Sequence, residues 1–110
     1  MSPARTEATM RRMLVFFSLK PETDPKAYEE WARTVDIPQV NAFDSVASFT
    51  VHRCASTVGD KPSPHDYVEI LDVSDPQAFD KDLVSDTMKA LAKDFAQYAE
   101  PPAFVWTEPL

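Results

Sequence analysis

Hydrophobic and polar residues alternate along Val46–Arg53, the stretch VASFTVHR. A period of two places successive side chains on opposite faces of a β-strand. One predicted face carries the apolar residues Ala47, Phe49 and Val51. The other face carries Ser48, Thr50 and His52, one of only two histidines in the chain. The apolar face needs a packing partner, and the polar face gains chemical interest if it lines a cavity instead of meeting water.

The remaining patterns predict three further strands and two helices. The pairs Asp24-Pro25 and Asp75-Pro76 are typical helix starts, with Asp as N-cap and Pro in the first turn. Pro38 is expected to kink or restart the first helix, and the second helix is expected to break near Ser85. The predicted strands are Met13–Leu19, Ser45–Ala55, His65–Val73 and Ala103–Thr107.

The resulting order, β-α-β-β-α-β, predicts an α+β, ferredoxin-like fold with a four-stranded antiparallel sheet. Two helices cover only one face of such a sheet, so the other face is solvated or buried against another chain. Because this open face is expected to mix large apolar groups with polar ones, we predict that a dimer encloses a ligand cavity there.

The strands on either side of VASFTVHR are harder to orient. On the third strand, Val68 and Ile70 are expected to face the helices. This assignment places Tyr67, Glu69 and Leu71 on the open face, which they share with His52. Either set of alternate residues in the first strand is apolar, and the sides of the fourth strand, which contains Phe104 and Trp106, are not assigned.

Composition and charge narrow the function classes. The 110 residues fit one domain, predicted as Met13–Leu110 after a disordered leader, Met1–Arg12. A net charge of −7 argues against nucleic acids and anionic membranes as partners, and no apolar run is long enough to span a bilayer. The single cysteine, Cys54, suits a reducing cytoplasm, and the single glycine excludes a glycine-rich phosphate loop.

Three segments carry a resemblance to a known family: MLVFFSLKPETDPKAYEEWARTVDIP from Met13, VASFTVHR, and YVEILDVSD from Tyr67. The chain resembles the dimeric α+β barrel superfamily and, within it, the REDY-like HapK family, with Trp31–Pro38 as the most specific segment. The resemblance implies a homodimer joined through the sheet faces and a cavity between each sheet and its helices. It also implies cofactor-free cyclisation of aromatic, indole- or pyrrole-derived intermediates of secondary metabolism.

The chain departs from the cyclases of this superfamily at their acid–base dyad. The histidine and tyrosine of that dyad fall near Met88 and Asp82, so other groups are needed here. We predict His52 as the general base, because imidazole titrates near neutral pH. Glu69 or Asp36 is predicted to orient the imidazole or to donate a proton.

Each catalytic candidate also has a structural interpretation. His52 stands near a strand end, where surface residues are common, and His65 precedes a strand beside a loop. Glu69 is also compatible with an edge strand and an ion pair to Arg53. Asp36 is placed to cap the helical turn that follows it.

The predicted function is that of a cofactor-independent cyclase or isomerase that uses acid–base chemistry on a small aromatic substrate. Two alternatives stay open: a cofactor-free, quinone-forming monooxygenase and a non-enzymatic small-molecule binder. No histidine or carboxylate spacing matches a metal-ligand motif, so no metal is predicted. The predicted substrate contacts are Val15, Phe17, Trp31, Ser48, Thr50, Tyr67, Met88 and Trp106.

Overall fold

Four antiparallel strands form the sheet of the computed structural model, which describes residues 10–110. The strands are β1 (Arg11–Phe17), β2 (Val46–Arg53), β3 (Tyr67–Val73) and β4 (Ala103–Thr107). The helices are α1 (Pro25–Trp31), α2 (Ile37–Asn41), α3 (Pro76–Leu83) and α4 (Asp86–Tyr98). The predicted β-α-β-β-α-β order is therefore present, with each predicted helix divided in two.

The predicted leader, Met1–Arg12, lies outside the described residues except for Met10–Arg12. Arg11 and Arg12 already belong to β1, where they pair with residues of β3. Among residues 10–110, no helix combines the length and the apolar character that crossing a bilayer requires.

Side-chain caps start the helices where the sequence predicts. The carboxylates of Asp24 and Asp75 accept hydrogen bonds from the backbone amides of Lys26 and Ala78, at 3.0 and 3.1 Å. A proline follows each of these caps in the first turn, where its missing N–H costs nothing. Ser85 divides the second predicted helix, because its side chain caps α4.

A π-helical turn, Ala32–Asp36, joins α1 to α2 just before Pro38. Ile37 donates its N–H to the carbonyl of Ala32, five residues back. Pro38 has no N–H to donate, and in a regular helix its ring would crowd the carbonyl four residues back. The wider turn accommodates the proline, and a new α-helical segment begins at Ile37, in keeping with the predicted kink or restart. The residues buried at four-residue intervals along this segment are Tyr28, Ala32, Asp36 and Val40.

The pairing register assigns the two faces of the sheet, whose strand order is β2-β3-β1-β4. Directly paired residues of an antiparallel sheet share a face. The buried, helix-facing residues of β1 are Met13, Val15 and Phe17. Their partners on β3 are Leu71, Glu69 and Tyr67. On β4, Trp106 and Phe104 pair with Met13 and Val15 and therefore share the helix-facing side.

The predicted orientation of β3 is therefore wrong. Tyr67 and Glu69 face the helices, whereas Val68 and Ile70 face outward. The apolar pair Val68 and Ile70 was misleading because the outer face of the neighbouring strand β1 is apolar as well, with Leu14 and Phe16 half-buried there.

A β-bulge at the start of β2 changes the predicted phase of that strand. The register shifts between Val46 and Ser48, so Val46 is buried and the intervening Ala47 is exposed. Beyond the bulge the alternation holds, because Phe49 pairs with a helix-facing residue of β3. The residues paired with the outer face of β3 are Ser48, Thr50 and His52.

An aromatic cluster forms one end of the core. The ring of Tyr28 is completely buried, and Phe17 stacks on Tyr67 with ring centroids 5.4 Å apart. Trp31 is a core residue, buried beside Tyr98 with 5.6 Å between the ring centroids. Burying each large apolar side chain contributes roughly 1.5–3 kcal/mol, so this cluster holds α1 firmly on the sheet.

Candidate active site between the sheet and the helices

A cavity of about 280 Å³ lies between the sheet and the helices. Its strand wall includes Met13, Val15, Phe49 and Leu71. Its helix wall includes Phe79, Met88, Leu91 and Phe95. This is the place at which the family resemblance implies a cavity, and its mostly apolar wall suits a small aromatic molecule.

Exposed residues mark the mouth of the cavity. Leu83 of α3 and Phe104 of β4 both line it and are 43% and 64% exposed. Lys89 of α4 is also exposed and contributes a positive charge to the lining. The cavity therefore opens between the helices and the edge strand β4.

Two carboxyl groups, those of Asp36 and Glu69, interrupt the apolar wall. Asp36 comes from the π-helical turn and Glu69 from the middle of β3, and the residues are only 6% and 8% exposed. Within residues 10–110, neither side chain has a hydrogen-bond or ion-pair partner. Asp36 makes no capping hydrogen bond, so its structural interpretation as a helix cap is wrong.

The environment of these carboxyls raises both pKa values. Burial raises the pKa of Asp36 to about 7, because a carboxylate withdrawn from water loses its hydration. Burial and the negative charge of Asp36 together raise the pKa of Glu69 to about 8. Near neutral pH, one carboxyl can accept a proton while the other still holds one to donate.

His52 lies on the other side of the sheet from this pair. It is exposed near the end of β2, and its Nε2 atom is 3.0 Å from the hydroxyl of Thr50. The prediction that His52 and Glu69 share one face is therefore wrong, because β3 has the opposite phase to the one predicted. Ser48 shares the outer face with His52.

Of the other predicted substrate contacts, some line the cavity and some lie elsewhere. Val15 and Met88 line the cavity, so their role as contacts stays a prediction with a suitable location. Phe17 and Trp31 belong to the aromatic cluster instead. Trp106 packs edge-on against Phe79 at 6.2 Å between ring centroids. His65 lies outside the cavity, and its ring is 5.5 Å from that of Phe16.

Tyr67 belongs to a second polar cluster, centred on Glu29. The Tyr67 hydroxyl and the Arg53 Nη2 group each donate to the Glu29 carboxylate at 2.6 Å, and Arg33 donates at 3.2 Å. The hydrogen bonds from Arg53 and then Tyr67 lower the pKa of Glu29 to about 2. The predicted pairing of Arg53 with Glu69 is therefore wrong, and β3 is an inner strand rather than an edge strand.

Glu29 is a polar centre that the sequence reasoning missed. Its four-residue spacing from Arg33 on a helix was the available local signal. Its contacts with Arg53 and Tyr67 depend on how α1 packs over the ends of β2 and β3, which no local pattern specifies. Among residues 10–110, no group of three or more His, Cys, Asp or Glu side chains is arranged to hold a metal ion.

Comparison with known proteins confirms the predicted family resemblance. The family described as REDY-like protein HapK matches residues 11–110. The crystal structure of HapK from Hahella chejuensis is similar to the chain with a TM-score of 0.76 and 28% sequence identity, covering 91% of this chain and 92% of that chain. No curated protein sequence matches the chain.

More distant structures confirm the ferredoxin-like fold. A hydroxynitrile lyase from Passiflora edulis has a TM-score of 0.73 at 16% identity, covering 91% of this chain and 97% of that chain. A dimeric ferredoxin-like protein of unknown function from Thermobifida fusca has a TM-score of 0.69 at 12% identity, covering 91% of each chain. These likenesses extend to the fold alone.

Proposed function

The chain belongs to the REDY-like HapK family, and on this premise we propose that it is a cofactor-independent cyclase or isomerase. The substrate is a small aromatic intermediate of secondary metabolism, held in the cavity between the sheet and the helices. The reaction proceeds by acid–base chemistry. We place this activity in the reducing cytoplasm, in keeping with the single cysteine, Cys54.

The observation that carries the proposal is the pair of buried carboxyls, Asp36 and Glu69, in an otherwise apolar cavity. Burial raises both pKa values toward neutrality, and the negative charge of one carboxylate opposes ionisation of the other, so near neutral pH the pair holds a single negative charge. The ionised carboxyl acts as the general base, and the protonated carboxyl acts as the general acid. Removal of a proton from one ligand atom and its return to another is the step that an isomerisation or ring closure needs.

The apolar wall supports the same step in two ways. It excludes water, which strengthens the electrostatic effect of a carboxylate on a bound molecule. It also holds a flat ligand in one orientation against the carboxyls, which lowers the entropic part of the barrier. In this proposal His52 has no part in the proton transfer, because it lies on the outer face of the sheet.

A second copy of the chain completes the proposed enzyme. The outer sheet face exposes a row of half-buried apolar side chains, and a structural neighbour is described as dimeric. The residues of this face include Leu14, Phe16, Val68 and Ile70. We expect light scattering to give twice the monomer mass, and Ile70→Lys to give the monomer, because a charge at the centre of this face opposes its burial.

Proton exchange on a model ligand tests the chemistry. 2-Tetralone is a bicyclic aromatic ketone with an acidic C–H, and its exchange in D₂O is followed by proton NMR. We expect the protein to accelerate exchange, with a bell-shaped pH profile, as the carboxyl pair loses its first proton and then its second. Asp36→Asn and Glu69→Gln should each lower the rate, by roughly 10²–10⁴-fold for loss of a general acid or base.

Two controls separate the proposal from its alternatives. Asp72→Asn changes a carboxylate on the same strand but on its outer face, and His52→Ala removes the outer imidazole; both should retain the exchange. If 2-tetralone shifts the methyl signal of Met88 and yet exchanges at the buffer rate, the acid–base assignment is wrong. Binding without turnover then favours a small-molecule carrier. Oxygen uptake with a true substrate indicates the monooxygenase alternative.

A further inference from the structure

A second concavity, of about 390 Å³, lies beside the end of β2 and is separate from the proposed active site. We call it the arginine groove. Its polar lining residues are Glu29, Arg33, His52, Arg53 and Tyr67. Its apolar lining includes Ile37 and Val51. The charged groups of the two linings differ, because arginines predominate in the arginine groove and carboxyls predominate in the active-site cavity.

The charges in the arginine groove do not cancel. Two guanidinium groups, those of Arg33 and Arg53, face the single carboxylate of Glu29. Glu29 is fully ionised near neutral pH, since its pKa is lowered to about 2. The groove therefore keeps an excess positive charge in a chain whose net charge is −7, and this local charge attracts an anion.

Glu29 also holds both arginines in position. Arg53 binds its carboxylate through Nε and Nη2, at 3.0 and 2.6 Å, and Arg33 binds it through Nη2 alone. The Arg53 Nη1 group and the Arg33 Nε and Nη1 groups make no hydrogen bond to any residue in the described range 10–110. These donors are thus unused, and the two hydrogen bonds to Glu29 restrict the Arg53 side chain before any ligand binds, which lowers the entropic cost of binding.

We propose that the arginine groove is a second ligand site, which binds the carboxylate or phosphate group of a small organic anion. The unused guanidinium donors bind the anionic oxygens in the forked geometry that such groups favour. Ile37 and Val51 contact the apolar part of the ligand.

Side-chain NMR of the full chain tests this site with three probes: benzoate, inorganic phosphate and the neutral benzamide. We expect saturable shifts of the Nε–H signals of Arg33 and Arg53 with at least one of the two anions, and none with benzamide. Saturation by phosphate alone identifies a phosphate site, and saturation by benzoate alone identifies a carboxylate site. Absence of saturation with both anions overturns the proposal.

Two arginine variants make the test specific. Arg33→Gln removes the excess charge but leaves Glu29 paired with Arg53 and Tyr67, and it should weaken anion binding by about tenfold. Arg12→Gln is the matched control, because Arg12 is also exposed and ion-paired, with Asp72, away from the groove. Equal weakening by both variants indicates general charge attraction and overturns the site.

A variant of the active-site cavity keeps this proposal separable from the proposed function. Glu69→Gln should strongly lower the rate of proton exchange expected of the enzyme. Because Glu69 lies outside the arginine groove, this variant should bind the anion with wild-type affinity. Conversely, Arg33→Gln should leave exchange on 2-tetralone unchanged. Failure of one proposal therefore does not imply failure of the other.

Discussion

The two buried carboxyls predict an unusual dependence of stability on pH. The pKa of Asp36 rises from 3.8 to about 7 on folding, and that of Glu69 rises from 4.5 to about 8. In the folded protein both groups keep a proton at pH values at which the unfolded chain has released it. Because the folded state then binds more protons, the free energy of unfolding falls as pH rises through this interval.

The expected size of the effect follows from these shifts. Each carboxyl changes by about 3 pKa units, and one unit corresponds to ~1.4 kcal/mol. Each group therefore removes about 4 kcal/mol of stability once pH passes its folded pKa, with a slope of up to ~1.4 kcal/mol per pH unit. Glu29 affects the pH dependence of stability with the opposite sign, since its pKa is lowered to about 2. Its stabilising contribution is lost only in acid.

Urea unfolding between pH 5 and pH 8, at one ionic strength and one protein concentration, measures this dependence. Glu69→Gln cannot ionise, so its unfolding free energy should fall with about half the wild-type slope. Glu30→Gln, at an exposed position of α1, is the matched control and should retain the wild-type slope. A wild-type stability that stays level or rises from pH 5 to pH 7 would refute the reasoning, because both carboxyls would then be ionised in the folded state.

Four further substitutions test the packing and hydrogen bonding around the two sites, each measured by urea unfolding. Tyr67→Phe removes a donor to an ionised carboxylate and should cost about 1.5–3 kcal/mol, and NMR titration should show a higher pKa for Glu29. Tyr28→Phe removes a buried hydroxyl that has no partner among residues 10–110, so stability should stay level or increase, and a loss above about 1 kcal/mol would reveal an unrecognised partner. Phe79→Ala empties a position that is 1% exposed and should cost roughly 3–5 kcal/mol. Asp24→Ala removes the cap of α1 and should cost about 1 kcal/mol; a larger effect would mean that Asp24 does more than cap the helix.

Local signals specified the elements of this chain accurately. Asp24, Asp75 and Ser85 cap helices at or beside the predicted positions, because a cap satisfies backbone groups within its own turn. Pro38 interrupts the α-helix for a similarly local reason, although the form of the interruption, a π-helical turn, was not predicted. The family resemblance, too, was available from contiguous segments of sequence.

The composition of the candidate site was only partly predictable. Asp36 and Glu69 were both recognised as candidates, but Glu69 was assigned to the wrong face and grouped with His52. In β3 the odd and even positions are both largely apolar, since Tyr67 and Leu71 alternate with Val68 and Ile70. Hydrophobicity alone cannot orient such a strand.

The sequence by itself therefore determined the order of the elements, where its helices start and, apart from the β-bulge at Ala47, which residues of each strand share a face. Only the tertiary structure decided which of those faces each strand turns toward the helices. That choice depends on the register with β1 and on the packing of α1 and α4, both of which join distant parts of the chain. It places Glu69 and Asp36 together in a mostly apolar cavity, where burial raises their pKa values, and it leaves His52 on the outer face of the sheet.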